Sequence, residues 1–452
     1  MPNPLRPERT FWKLSETLCP GHIPGDETTP LSSDNDTVSL SFQRTQLYTN
    51  GEIGYLPAMV NNLSKDPATM TSYESAVWSL FAVLECSGIR RFTIDSQWGE
   101  KDTSLHGGRE DVAEGASYRI ATRFMTVGGR QKLVAVKRVK GSLPISGSTS
   151  DNNRVAATNL ETIRRDIELM TRPQYRRMSG HPHILSCLGY GWEPADPAPS
   201  LFLVVPWAQH GTLRQFLQSG DISWVIRKEL FKQVCLGLRS LHRYDIAHGD
   251  VKMENVLVFN RRHLETEEGR KEYEEARKEH PQAPPIEENV NVRLSDFGCS
   301  VSALDGRYTG TAAYNAPEVR NGTLHMSPMA GQMMKFMKCD IFSAGLLFLE
   351  VLLDGESVAS NSWVQDMTCN ADGVLPALEF ARETVSGILS HLSWQGRQLD
   401  IARDMFLQIF EATLKYDPAA RYPVDHLLKA IEQATWRYVN APRGALFGIY
   451  IS

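Results

Sequence analysis

The sequence predicts an α+β molecule of two lobes, a small strand-rich lobe followed by a larger helical one. Three observations carry this expectation. Strand-like stretches dominate from about residue 111 to residue 206. Helical periodicity dominates after that point. Two segments, residues 1–69 and 261–290, follow neither pattern and mark an N-terminal extension and an insertion.

The extension comes first in the chain. Residues 1–69 are rich in Pro, Asn, Ser and Thr, and "PGDETTPLSSDNDT" has the composition of an irregular segment. Within residues 70–110, "TSYESAVWSLFAVLECSGI" spaces Tyr73, Val77, Trp78, Leu80, Phe81 and Leu84 on a helical period. Ser87 and Gly88 form a stop signal. A helix over about 72–86, docked on the small lobe, is the expectation. In the small lobe, "ASYRIATRFM" and "KLVAVKRVK" predict two strands joined at "VGGR". "LETIRRDIELM" predicts a helix, and "LFLVVPW" a strand that stops at Pro206.

The second lobe opens with "WVIRKELFKQVCLGLRSLHRY", whose Val225, Phe231, Val234, Cys235, Leu238 and Leu241 fall along one apolar stripe. The stretch "RRHLETEEGRKEYEEARKEHPQAPPIEE" within 261–290 alternates charge sign and ends in prolines. Its Glu267–Lys271 and Glu274–Lys278 spacings are favourable i,i+4 pairs. The expectation there is a solvated helical or disordered excursion between two strands. Residues 436–452 form a C-terminal tail.

Composition narrows the function classes. Over 452 residues the chain is 42% apolar and 22% charged, with a formal net charge of −5. That charge argues against a general nucleic-acid binder. No apolar run approaches the roughly 20 residues of a membrane span. Seven scattered cysteines favour free thiols in a reducing compartment. The opening "MPNPLRPERT" lacks a secretory apolar region. A soluble cytoplasmic protein is the expectation.

Several short motifs supply the parts that phosphoryl transfer needs. These are a cation for phosphates, hard oxygen ligands for a metal, and a carboxylate to orient a hydroxyl. "LVAVKRVK" ends an apolar run on Lys137. "DVKMEN" places Asp250, Lys252 and Asn255 in a short loop after a long helix. "LSDFGCS" places Asp296 at the end of an apolar strand. Asp296 and Asn255 are oxygen ligands suited to Mg²⁺. No His/Cys cluster has zinc spacing.

In family order, these motifs resemble eukaryotic Ser/Thr protein kinases, in detail those abundant in filamentous fungi. "VAVK" is similar to the β3 lysine motif, "HGDVKMEN" to the catalytic loop, and "DFG" to the metal motif. "APE" is similar to the end of the activation segment, "CDIFSAG" to the buried helix after it, and "DPAARYPVDHLL" to the C-terminal arginine segment. The resemblance covers residues 112 to about 432. It implies a bilobal protein-kinase-like fold, with the kinase domain over 111–435, and a protein serine/threonine kinase that uses ATP and Mg²⁺.

The implied roles fall on individual residues. Asp250 orients the substrate hydroxyl, Lys252 contacts the γ-phosphate, and Thr311 braces both. Asn255 and Asp296 hold Mg²⁺. Lys137 pairs with Asp166. Gly115, Ile120, Ala135, Val205, Pro206, Trp207, Ala208 and Leu257 surround the nucleotide, with Val205 as gatekeeper and Leu257 as floor. Glu318 and Arg421 form a structural ion pair. The implied partners are ATP and a protein substrate with a Ser or Thr acceptor. The N-terminal extension is the place for any regulatory partner. The alternative is a pseudokinase, a nucleotide-binding or scaffold module.

Three positions depart from the family pattern. Gly249 replaces the Arg that in many kinases binds an activation-segment phosphate. In "VAEGASYRI" only Gly115 remains of three loop glycines, with Ala113 and Tyr118 at the other two positions. A Tyr118 side chain pointing outward would leave the phosphates uncrowded. Asp166 stands where the family has Glu. Asp is shorter by about 1.5 Å, so the helix must move inward or water must bridge the pair. Cys299 is expected to be a small packing residue, and His248 to pack beneath Phe297.

Overall fold

The computed structural model describes residues 84, 89–92, 113–114, 118–127, 130–139, 162–170, 181–193, 200–220, 222–261, 267–279, 289–302, 308–324, 332–364, 374–391 and 397–434. The irregular segment 1–69, the tail 436–452, Gly115 and all of the expected helix at 72–86 except Leu84 lie outside them. Leu84 is helical and fully buried.

The small lobe is built on β1 (Ala113–Glu114), β2 (Tyr118–Val127), β3 (Arg130–Val139), a helix α1 at 162–170, β4 (Gly189–Glu193) and β5 (Ser200–Pro206). The five strands form one antiparallel sheet in the order β1-β2-β3-β5-β4. Side chains along a strand alternate between the two faces, so register assigns each a side. Ala135 lies opposite Val205, and Lys137 opposite both Ile120 and Leu203. Ala135 and Val205 join Leu185, Ala208 and Phe259 in one apolar cluster on the cleft side. The intervening residues Val134, Val136, Phe202 and Val204 form a second cluster on the other face, capped by Phe92.

Phe92 brings part of the extension onto this lobe. Residues 90–92 run parallel to β4, with Phe92 N donating to the Tyr190 carbonyl at 2.7 Å and Tyr190 N to the Arg90 carbonyl at 3.0 Å. Two glycines on β4 permit the approach. A Cβ at Gly189 would lie 2.2 Å from the Phe92 ring, and one at Gly191 would lie 2.4 Å from the Phe92 carbonyl.

The large lobe follows as α2 (Leu213–Gln218), α3 (Trp224–His242), β6 (Ile246–Ala247), β7 (Val256–Asn260), α4 (Glu267–Glu279), β8 (Val290–Leu294), β9 (Val301–Ser302), α5 (Pro317–Arg320), α6 (Gln332–Leu352), α7 (Pro376–His391), α8 (Arg397–Thr413) and α9 (Val424–Gln433). Its core is apolar and aromatic, with Phe231 of α3 stacked on Phe348 of α6 at 4.1 Å, and Phe348 against Phe406 and Phe410 of α8. The charged run forms α4, a helix whose described side chains are mostly exposed. Its expected Glu267–Lys271 pair is present at 3.9 Å. The strands on either side, β7 and β8, pair directly with each other.

Strand-rich and helix-rich lobes therefore stand as the sequence predicts, in the bilobal arrangement of a protein kinase. No described helix is long and apolar enough to cross a membrane.

Candidate active site

Two short strand pairs place the polar residues of the cleft. In the β7–β8 hairpin Val256 lies opposite Leu294. Asn255 and Ser295 therefore leave the hairpin side by side, and Ser295 N donates to the Asn255 carbonyl at 2.8 Å. This brings Asn255 next to the stretch that carries Asp296. The β6–β9 pair then clamps the far ends of the two loops, with Ile246 opposite Ser302 and Ala247 opposite Val301. Between the clamps run the 248–255 loop and the 295–300 loop.

A buried carboxylate from α6 fixes the first loop from below. Asp340, fully buried, accepts from His248 N at 2.7 Å and from Gly249 N at 3.0 Å. The Tyr308 hydroxyl donates to the same carboxylate at 3.1 Å. His248 is fully buried with its ring 5.4 Å from that of Phe297, so it packs where expected. It also ties the loop together, because Asp250 N donates to its Nδ1 at 3.3 Å.

Asp250 is held on both oxygens. Thr311 N donates to Oδ1 at 2.8 Å. Asn255 Nδ2 donates to Oδ2 at 2.9 Å, and Lys252 Nζ lies 2.8 Å from Oδ2. Lys252 Nζ also donates to the Thr311 hydroxyl at 2.7 Å. Burial raises the Asp250 pKa, but Lys252 and the Thr311 hydrogen bonds outweigh it, and the net shift is downward. The carboxylate is ionised at neutral pH, the state needed to accept a hydroxyl proton. Thr311 thus braces both Asp250 and Lys252.

Asp296 has φ 62° and ψ 75°, left-handed backbone that a non-glycine residue seldom adopts. Such strain persists where surrounding structure enforces it, often at functional sites. Burial pushes the Asp296 carboxyl above the ordinary carboxylate range, Lys137 pulls it down, and Asp166 and Asp250 push it up again. Asp166 and Asp250 thus add negative field at Asp296 beyond what Lys137 offsets, which favours a bound cation there. The Asn255 amide nitrogen is engaged by Asp250, which leaves its oxygen as a ligand atom. A carboxylate and an amide oxygen are hard donors and fit Mg²⁺, which keeps waters and takes the rest of its shell from phosphates. Among the described residues, no group of three or more His, Cys, Asp and Glu side chains could hold a metal by itself.

On the small-lobe side, Lys137 Nζ meets Asp166 Oδ2 of α1 at 3.1 Å, in a site only 1% exposed at the carboxylate. The shorter acid therefore makes its contact directly, without bridging water. Asp166 does so alongside two more donors, the Phe297 backbone N–H to Oδ1 at 3.0 Å and the Tyr118 hydroxyl to Oδ2 at 3.1 Å. Burial lowers the Lys137 pKa, but Asp166 and Asp296 raise it further, so the lysine stays charged. Glu168 pairs with Arg164 one turn back. Removing one member of a buried pair costs about 3–5 kcal/mol, because the other charge is left without a partner.

Tyr118 points inward. It shares strand parity with Ile120 and so faces the cleft, buried, with Lys137 Nζ 4.2 Å from its ring centre.

The other positions expected around the nucleotide converge, Gly115 lying outside the described residues. Ala135, Val205 and Ala208, with the partly buried Ile120, Trp207 and Leu257, form the single cluster that includes Leu185 and Phe259. Pro206 ends β5 opposite Val134. Leu185 and Phe259 were missed from the sequence, although Phe259 sits two residues beyond Leu257 on the same strand face. Glu318 and Arg421 form the expected ion pair, bidentate at 2.7 Å on each arm and buried. Cys299 is half-buried, and burial, with Asp250, raises its thiol pKa, which suits packing better than reactivity.

Among known proteins, the model of the protein kinase domain matches residues 125–431, more than half of the chain. The chain is similar to serine/threonine protein kinase OSK3 of Oryza sativa, subspecies indica and japonica, and to OSK4 of the indica subspecies. Each is 23% identical over 288 residues, which cover 63% of this chain and 42% of the relative. The chain therefore matches less than half the length of these curated relatives. With the two-lobed fold and the Lys–Asp–Asn–Asp cleft, the family match defines the class of the molecule. The chain belongs to the protein kinase family.

Proposed function

We propose that this protein transfers the γ-phosphoryl group of ATP to Ser and Thr hydroxyls of proteins, with Mg²⁺. The observation that carries this is Asp250, ionised and gripped on both oxygens by Thr311, Asn255 and Lys252. A module that only bound nucleotide would have no need of a carboxylate held this way beside a charged lysine. Lys137 contacts the phosphates of ATP, and the Ala135–Val205–Leu257 cluster encloses the adenine. Asp296 and Asn255 would hold Mg²⁺, which when bound would neutralise charge on the phosphates. Asp250 orients the acceptor hydroxyl and takes its proton. Lys252, placed between Asp250 and Thr311, meets the transferring phosphoryl group with positive charge.

The kinase domain spans 111–435 on this reading, with residues 1–110 as an extension open to a regulatory partner. Cys187, Cys235, Cys299 and Cys339 are free thiols, which suits the reducing cytoplasm.

One observation favours the second reading, a pseudokinase that binds nucleotide without transfer: the Tyr118 ring fills space beside Lys137 that a glycine would leave open. Incubation with labelled ATP, Mg²⁺ and a degenerate peptide library, followed by phosphoamino acid analysis, separates the two. Label on Ser or Thr supports the kinase. Nucleotide binding without label supports the pseudokinase.

A further inference from the structure

The Lys137–Asp166 pair is assembled differently from a lysine–glutamate pair beside a glycine loop. The acid is one methylene shorter, and a Tyr occupies the position of the third loop glycine. These two departures meet at one atom. Tyr118 Oη and Lys137 Nζ each lie 3.1 Å from Asp166 Oδ2. The other carboxylate oxygen accepts from Phe297 N at 3.0 Å, so the acid ties β2, β3, α1 and the 295–300 loop together. The lysine ammonium sits 4.2 Å from the centre of the Tyr118 ring, within cation–π range. Asp166 and the ring thus define two of its approaches, and among the described residues no further hydrogen bond holds the ammonium away from phosphate oxygens.

We propose that Tyr118 is a positioning residue for Lys137: its hydroxyl and ring, together with the shortened Asp166, do the work that a glutamate alone does elsewhere in the family. This rests on the nucleotide-binding half of the proposed function and goes beyond it. The phenol suits the role because it remains a donor. Burial first, then the neighbouring Asp166 and Asp296, push its pKa well above the ordinary value. The strand register supports the geometry independently of any titration. Tyr118 lies opposite Val139 and two residues from Ile120, so β2 delivers its side chain to the cleft face.

The test is a double-mutant cycle. Mg·ATP affinity is measured by calorimetry, and KM and kcat in the same preparations. The variants are Y118F, D166E and Y118F/D166E. Y118F keeps the ring and the volume, so it folds. The expected result is that Y118F weakens Mg·ATP affinity and raises KM fivefold or more, with kcat changed by less than about threefold. In the D166E background the same substitution changes both by less than twofold, because the longer acid reaches the lysine unaided. Should glutamate not fit, isosteric D166N closes the cycle, and Y118F then adds nothing to its effect.

Y118F indistinguishable from wild type in affinity and KM would overturn the proposal, as would an equal Y118F effect in both backgrounds. Failure of the kinase reading looks different. Wild type that binds Mg·ATP without transferring phosphate sinks that reading, while the affinity cycle still decides on Tyr118. Wild type that binds no Mg·ATP overturns both.

Discussion

Lys252 and Thr311 meet at 2.7 Å, the ammonium donating to the hydroxyl across a separation of 59 residues. The contact joins the loop that carries Asp250 to the segment that ends in Ala316-Pro317-Glu318. Thr311 N also donates to Asp250, so one residue positions both groups that would face the acceptor hydroxyl. Thr311→Ala keeps the backbone contact and loses the one to Lys252. The rate of peptide phosphorylation is expected to fall tenfold or more, about 1.4 kcal/mol of barrier. Thr311→Ser keeps a hydroxyl and is expected to stay within about threefold of wild type.

Gly249 has φ +80°, and a Cβ built there would lie 2.0 Å from the Cys299 carbonyl. Any side chain forces the two loops apart, and left-handed backbone alone costs about 1–3 kcal/mol. Gly249→Ala is therefore expected to lower unfolding stability by at least 1 kcal/mol in urea titrations. The same glycine leaves no cation at position 249 to read a phosphate on Ser300, Ser302, Tyr308 or Thr309. The segment is held instead by contacts that need no phosphate, the β6–β9 pairing and the bond from the Tyr308 hydroxyl to Asp340. Phosphatase-treated protein, assayed at once, is expected to keep most of its rate. A tenfold drop would mean that another cation reads a phosphate there, with Arg307 the first to substitute.

Deletion of residues 263–286 is expected to leave soluble protein with activity within about twofold. The flanking strands are already paired up to Asn260 opposite Val290, and Arg261 N donates to the Asn289 carbonyl at 3.3 Å. A short turn can close that hairpin. Insoluble protein after deletion would show that α4 packs on the core.

His183 gives the fold an acid sensitivity that can be assigned. Burial lowers its pKa to about 4, while its Nδ1 stays 3.0 Å from the Val292 carbonyl. Because the folded-state pKa is below the unfolded value of about 6.5, the unfolded chain binds the proton more readily between pH 6.5 and 4. The contribution is complete above pH 6.5 and declines as pH falls toward 4. At pH 5 the loss is about 2 kcal/mol. His183→Asn does not titrate, so its stability difference from wild type should shrink by about that amount between pH 7 and pH 5 in urea unfolding. A pH-independent difference would rule out His183.

Much of this site was legible in the sequence, because phosphoryl transfer needs particular groups at fixed chain offsets. Lys137, Asp250, Lys252, Asn255, Asp296 and Thr311 fall where local strand and loop patterns put them. The positions expected around the nucleotide were legible through the family resemblance alone, and the strand register that sets Ala135 opposite Val205 brings them together. Parity also carried the direction of Tyr118, two residues before Ile120, but a tyrosine at a glycine position draws attention to crowding and away from the acid across the cleft. The contacts that could not be read are non-local. Nothing in β4 announces that Gly189 and Gly191 make room for Phe92, about a hundred residues earlier. Asp340 is equally silent: its role appears only when α6 passes beneath His248, Gly249 and Tyr308.

The proposed function divides the chemistry between Asp250 on the acceptor and Asp296 on the nucleotide, and the comparison of their asparagine variants tests that division most directly. Transfer of the γ-phosphoryl group from ATP to a Ser/Thr peptide is measured beside Mg·ATP affinity for wild type, Asp250→Asn and Asp296→Asn. Wild type should transfer. Asp250→Asn should lose at least a hundredfold in rate with affinity within about threefold, because the carboxylate acts on the hydroxyl. Asp296→Asn should lose both rate and Mg·ATP affinity, because it removes a metal ligand. Transfer by Asp250→Asn at the wild-type rate would contradict the assigned mechanism.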